Sequence, residues 1–474
     1  MRSFLREYQG NDKIVLAKKY LFVIIVAALA GVFLNLSLTQ EKRTTLFLAG
    51  LTFNSIIAVM ILKDVLLGKF DLLNTKYFVF IGFFLHIGFG LFQTILVGAY
   101  IFYDYSIIMK SIILSVVGFC FFCLGYNSQI GNSLSNHFCL PQNKYSDNFI
   151  KNFALLIILI TLAGLLFRVR HYGGLWDFAM TPYSLKYTKS FWEHLGRFFS
   201  RLYMPSVILS VYVISSGKYS NFSKSLFLCF LFVIFFFCII QGARWYISTF
   251  SLLSILSVYA TRTLSFRKLL LWVVPLVLIS LFFINIQTNI RKNPTLLFNS
   301  DQKVFSWVTP FEECNAYPHF LEILTKFPKV YDYTYGRSFY NILTNFIPRC
   351  IWENKPIGFG KFLAVQIYGS HESVSYGGTI IGESYVNFSW IGVIIILFML
   401  GIVAKIFYDM YSKNKNDIIT ITFYLMNLVF FWGVIRGDLL SIVFPALGNL
   451  ITLYILLKIS VSFHLFLSGI KKGG

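Results

Sequence analysis

"SLFLCFLFVIFFFCIIQ", residues 225–241, runs for seventeen residues without one formal charge. That length and apolarity match the ~17–25 residues with which a helix crosses the hydrocarbon core of a bilayer. The same signal recurs at about 20–40, 44–62, 77–102, 106–126, 149–167, 202–216, 245–261, 269–288, 386–408, 418–435 and 441–460. No barrel-type alternation accompanies it, so the backbone within lipid is satisfied inside helices. Composition agrees, at 57% hydrophobic, 13% charged and a mean hydropathy of +0.69. An ordinary soluble domain carries about twice that charged fraction. The sequence therefore predicts an all-α polytopic membrane protein with about twelve transmembrane helices. The basic start "MRSFLREYQGNDKIVLAKKY" leads into a full-length apolar run with no small-residue cleavage site, which reads as a first span and not as a removed signal peptide.

Charge sets the expected orientation. Lys and Arg gather in alternate short loops: Arg2, Arg6, Lys13, Lys18 and Lys19; Lys63, Lys69 and Lys76; Lys144 and Lys151; Lys218 and Lys224; Arg262, Arg267 and Lys268; Lys413 and Lys415; Lys471 and Lys472. The positive-inside rule assigns all of these, and both termini, to the cytoplasm. Three regions follow: 1–288 with nine spans and an outer loop at about 168–201, a large periplasmic loop at 289–385, and three spans in 386–474. The two long outer loops hold most of the Pro, Gly, Trp and acidic residues outside the spans. A transporter usually keeps short loops and polar residues at mid-membrane. Here the polar chemistry is gathered on one face.

The stretch "NFIPRCIWENKPIGFG", residues 345–360, belongs to that face. With it go Arg168, Arg170, Arg197, Arg201, Arg244, Arg291, Arg337, Arg349 and Arg436, several within a turn of a span end. Any one of these is accounted for by snorkelling or by a loop carboxylate. Nine arginines set against the positive-inside bias call for more. The guanidinium fork holds phosphate oxygens in bidentate fashion, which lysine cannot do. Arginine at headgroup depth points to an anionic ligand, a phosphate carried on a lipid. Arg168, Arg170, Arg291, Lys355 and Arg436 are candidate binding groups. The net charge of +21, from 41 basic and 20 acidic residues, fits membrane lipids and a phosphorylated lipid. Nucleic acid is excluded as a partner because no basic run lies in a soluble domain.

Other constellations carry less. "CFFC", Cys120 to Cys123, lies inside an apolar span and reads as small buried hydrophobes, not as a metal or redox pair. Cys314 and Cys350 share the large loop, but spacing alone does not decide whether they pair. No Walker A sequence, no Rossmann glycine pattern in context and no Asp-x-Asp pair occurs. Tyr and Trp of "HYGGLW" and "YDYTYGRSFY" fit either sugar stacking or interfacial anchoring.

"QGAR" after an apolar span, the loop segment "YGRSFYNILTNFIPRCIWENKPIGFG" and then "GGTIIGESYVNFSWIGVIIILFMLG" come in an order that resembles the O-antigen polymerases, the Wzy-type oligosaccharide repeat-unit polymerases. The likeness covers about 240–440. It implies a GT-C-like fold with a large periplasmic loop region, in the bacterial inner (cytoplasmic) membrane. The implied activity moves a glycan from one undecaprenyl diphosphate onto a newly flipped, lipid-linked repeat unit, without cofactor or metal. Partners implied beside the undecaprenyl-diphosphate-linked oligosaccharides are a chain-length regulator and a flippase. By position, Arg244, Arg337, Arg349 and Glu383 fall where the family keeps polar residues, and this gives the expected catalytic set. A lipid diphosphate is a good leaving group, so the site must neutralise charge and orient the acceptor hydroxyl. Arginine suits the first task, and Glu383 is the expected base for the second, with Glu312, Glu313 and Asp438 in reserve. Two alternatives stay open. A lipid-linked glycan ligase would use a histidine-bearing outer loop, for which His319 and His371 are present. A flippase or transporter would place its charges at mid-span.

Overall fold

A computed structural model of the chain describes residues 41–137, 145–181, 191–241, 244–261, 316–345, 351–352, 355–370 and 375–473, with isolated positions at 275, 279, 282–283 and 347. Within them the architecture is all helical, with no strand. In chain order the helices are α1 (Lys42–Leu66), α2 (Thr75–Leu96, with a π turn at Phe84–Gly88), α3 (Tyr105–Tyr126), α4 (Gln129–His137), α5 (Asp147–His171), α6 (Leu175–Met180), α7 (Phe191–Ser200), α8 (Tyr203–Ser215), α9 (Asn221–Ile240) and α10 (Arg244–Ala260). Then come α11 (Ala316–Lys326), α12 (Arg337–Thr344), α13 (Phe359–Phe362), α14 (Ile380–Lys413), α15 (Ile418–Gly433) and α16 (Leu439–Gly473).

Among the described residues, eight helical segments are long and apolar enough to cross a membrane: α1, α2, α3, α5, Leu195–Ser215, α9, α14 and Ile442–Phe463. Trp245–Ala260 and α15 are shorter apolar helices at two further expected positions. The expected spans 20–40 and 269–288 lie outside the described residues, apart from single positions in the second. Starts follow local capping chemistry. Ser146 Oγ accepts from the Phe149 amide at 3.2 Å, and Asp417 accepts from the Ile419 and Thr420 amides at 3.2 and 3.0 Å.

Two features depart from the sequence reading. The region read as a loop, 289–385, contains α11, α12 and α13, and α14 begins at Ile380, not at 386. α14 is also broken: Phe388 (φ −142°, ψ 25°) and Ser389 (φ 57°, ψ −145°) leave helical geometry. The segment before α12 repairs the break, since the Thr334 amide donates to the Val386 carbonyl at 2.9 Å. Thr379, at the other end of this half-helix, also has positive φ, at 62°. Two non-glycine residues in sparsely populated backbone regions cost ~1–3 kcal/mol each, so the surrounding contacts must over-determine them.

Below the break, α14 packs tightly on α3. A Cβ on Gly401 would stand 2.6 Å from the Tyr126 nitrogen and clash with the Phe122 carbonyl. One on Gly125 would meet the Phe398 carbonyl in return. Small residues permit such backbone approach between helices in lipid, where packing rather than water drives association. Gly401→Val is expected to cut the yield of monodisperse, detergent-extracted protein several-fold, because backbone cannot move aside. Gly448→Ala, where a Cβ meets nothing within 4 Å, is the control expected at wild-type yield.

The ends of the bundle sort cleanly. At one end Lys76 pairs with Asp64 (2.5 Å), Lys415 with Asp71 (3.2 Å) and Lys218 with Asp147 (2.9 Å), while Lys413 donates to the Ser135 carbonyl (2.9 Å). These are loops that the charge rule assigns to one side. At the other end Tyr103 reaches the Pro318 carbonyl, Arg168 reaches Glu193 and Gln241, Ser338 and Leu439 meet Glu383, and Gly360 meets Asp438. Every loop there was assigned to the opposite side. We refer to them as the lysine end and the arginine end.

Candidate functional site at the arginine end

Four segments converge on Glu383, in the first turn of α14. Thr379 caps that turn by accepting the Gly382 amide at 3.0 Å, and the positive end of the helix favours a carboxylate there. Ser338 Oγ, on α12, donates to Glu383 Oε1 at 2.7 Å. The Leu439 amide, opening α16, donates to Oε2 at 2.8 Å. Asn387 Nδ2 donates to Ser338 Oγ and to the Glu383 carbonyl, each at 2.8 Å, and Thr334 Oγ1 donates to Asn387 Oδ1 at 2.8 Å. Nearby, Asp438 Oδ2 accepts the Gly360 amide at 2.9 Å. Glu383 and Asn387 are fully buried. Both carboxylate oxygens are occupied, and no cation among the described residues pairs with Glu383.

This adds a structural part to the one expected of Glu383. A general base must reach the proton it removes, and in this structure both Glu383 oxygens are held by donors. It ties Ser338, beside Arg337, and Leu439, three residues after Arg436, to one carboxylate. Glu383 positions the arginine-bearing segments.

The expected binding groups divide three ways. Arg337 opens α12, is exposed and has no side-chain partner among the described residues. Gly336 before it has φ 86°, and a Cβ there would strike Phe388 at 2.9 Å, so the turn that presents Arg337 needs glycine. Arg436 is exposed, and its carbonyl accepts the Thr379 amide at 3.2 Å. Arg170, in the last turn of α5, is exposed and without a partner among the described residues.

Two others are consumed internally. Arg168 is buried, donates through Nε to both Glu193 oxygens (3.2 and 3.3 Å) and through Nη1 to Gln241 (2.9 Å), and shares Glu193 with Arg197. Its fork is spent joining α5, α7 and the end of α9. Lys355 is buried, and its Nζ donates to the Asn345 carbonyl (3.0 Å), Asn345 Oδ1 (3.0 Å) and the Ile347 carbonyl (3.1 Å). All three ammonium protons are used holding Asn345 and Ile347 against Lys355. Arg349, Arg291, Glu312, Glu313, His371, Cys314 and Cys350 lie outside the described residues, as does the side chain of Arg244.

His319, on α11, faces the same end. Its Nδ1 is 2.6 Å from the Tyr368 hydroxyl, and its ring lies 4.8 Å from that of Tyr376. Burial first, then the positive charge of Arg436, lowers its pKa to about 4. The imidazole is therefore neutral across the physiological range. Because the folded value lies below the ordinary 6.5, its contribution to stability is fully present above pH 6.5 and is lost as pH falls toward 4. Thermal melts between pH 7.5 and 4.5 should show this decline, and His319→Gln should flatten it.

Sequence reasoning missed Lys110, Ser338 and Asn387. Lys110 had a usable signal, being the lone charge inside the span 106–126. Comparison with known proteins returns no matching family model, no matching curated protein and no matching solved structure.

Proposed function

We propose that the protein polymerises polyprenyl-diphosphate-linked oligosaccharide repeat units at its arginine end, facing the periplasm from the bacterial inner membrane, as a GT-C-like enzyme. The observation that carries this reading is the presentation of Arg337, exposed and uncommitted, by a turn pinned to the same buried carboxylate as the segment bearing Arg436. Two guanidinium groups on rigidly linked segments suit a diphosphate whose negative charge grows as the sugar departs. Arg170, Arg244, Arg291 and Arg349 add to that surface in this reading. The acceptor hydroxyl gives up its proton late, because the diphosphate leaves readily. A neutral His319 beside Arg436 is better placed to take that proton than Glu383, whose oxygens are both held by donors. Chain length is set with a partner regulator, and a flippase supplies the repeat unit.

Deleting the gene tests the reading through the lipopolysaccharide ladder. Polymerase predicts that the ladder collapses to a single capped repeat unit. Loss of all surface glycan instead favours a lipid-linked glycan ligase, the reading for which His319 at the arginine end speaks. An unchanged ladder refutes both.

A further inference from the structure

A second polar cluster lies in the upper seam between α3 and α14, apart from the Glu383 network. Lys110 sits in the second turn of α3, yet its side chain does not point to lipid. Its Nζ donates to the Tyr385 hydroxyl at 2.6 Å and lies 4.6 Å from that ring's centre. Tyr385 is only 1% exposed, so the ammonium is turned into the protein. The Tyr385 and Tyr333 hydroxyls are 3.1 Å apart, and Tyr333 donates to Ser389 Oγ at 3.1 Å. Ser389 is the residue with φ 57° at the break in α14, so strained backbone holds its hydroxyl at the end of this chain.

Proton bookkeeping fixes what the cluster lacks. Lys110 gives one N–H to the Tyr385 oxygen. Tyr333 gives its proton to Ser389, so the Tyr385 proton goes to the Tyr333 oxygen. What remains is two ammonium N–H groups and the Ser389 O–H, all donors. No carboxylate among the described residues lies within ion-pair distance of Lys110. A cation left among surplus donors has the complement of a phosphate oxygen.

We infer that Lys110 and Ser389, linked through the Tyr385 and Tyr333 hydroxyls, form a binding site for a phosphate-ester anion carried on a lipid, at the arginine-end mouth of the α3–α14 seam. Two sources share that chemistry: the diphosphate of a polyprenyl-linked substrate, which rests on the function proposed above, and the headgroup phosphate of an anionic phospholipid.

Thermal unfolding of the purified protein in neutral detergent tests the site. The probes are farnesyl diphosphate, phosphatidylglycerol and, as the neutral reference, phosphatidylcholine. An anionic probe should raise the melting temperature of the wild type. Lys110→Met should weaken the apparent affinity about tenfold, and Lys110→Arg should retain most of it. Tyr333→Phe removes one hydroxyl from a half-buried ring. It should lower the ligand-induced shift measured against its own ligand-free melt, so it carries the test if Lys110→Met does not fold. A shift with farnesyl diphosphate alone, lost in the variants, assigns the site to substrate. A variant-sensitive shift with phosphatidylglycerol assigns it to a phospholipid. Equal shifts in wild type, Lys110→Met and Tyr333→Phe overturn it. Farnesyl diphosphate carries no sugar, so the outcome is separate from the ladder, and either result can fail without the other.

Discussion

Arg337→Lys should lower polymer yield at least tenfold while the amount of membrane-inserted protein stays at the wild-type level. The expectation comes from what Arg337 does not touch. Its side chain is exposed and makes no hydrogen bond or ion pair with another described group, so changing it removes no such bond from the fold. Lysine keeps the charge and loses the planar fork. If Arg337 only meets ordinary headgroups, a point charge serves as well, and the ladder is unaffected. If it grips a diphosphate, one member of a charge-assisted pair is lost, worth ~1.5–3 kcal/mol, or about 10- to 150-fold. Immunoblotting for the protein and gel analysis of the glycan, from the same cells, separate the two cases. A full-length ladder from Arg337→Lys would refute the clamp.

Glu383 gives the second large effect, and its two substitutions should behave differently. Glu383→Ala strands the Leu439 amide and the Ser338 hydroxyl in a site with no water access and opens a void beside them. An orphaned buried donor costs ~1–3 kcal/mol, and two with a cavity are enough to unfold a marginal protein. Loss of extractable folded protein is expected. Glu383→Gln can still accept the Leu439 amide and donate to Ser338 Oγ, so folded protein should persist with substantial polymer. The contrary result, well-folded Glu383→Gln with no polymer at all, would restore the carboxylate to chemistry and remove the positioning role assigned to it.

The fold was legible where one-dimensional signals suffice. Apolar length located the long helices, and alternation of Lys loops told which loops meet, because Lys415–Asp71 and Lys218–Asp147 join segments given the same side. The candidate site was only half legible. Arg337 and Glu383 were found, but the role of Glu383 depends on Ser338 and Leu439, 45 and 56 residues away in the chain. Nothing in "NKP" distinguishes a buried lysine with three acceptors from one in water. Arg168 looked free because its partner Glu193 lies in a segment that reads as loop yet forms α7. The broken start of α14 was invisible as well. No proline marks it, and the Thr334 and Tyr333 contacts that accompany it come from outside the helix.

The lysine end carries a consequence for how a ribosome can deliver this chain. Thr75 closes on the Ala404 carbonyl, Tyr424 on the Leu73 carbonyl and Lys415 on Asp71, across 329, 351 and 344 residues. At ~5–20 residues per second, the early helices wait roughly fifteen seconds to a minute before these partners exist. Throughout that interval the Asp71 carboxylate, the Leu73 carbonyl and the Thr75 hydroxyl sit at the membrane edge half-finished, visible to quality control. Chains that stop short of residue 404 should be cleared by proteolysis rather than accumulate as stable fragments.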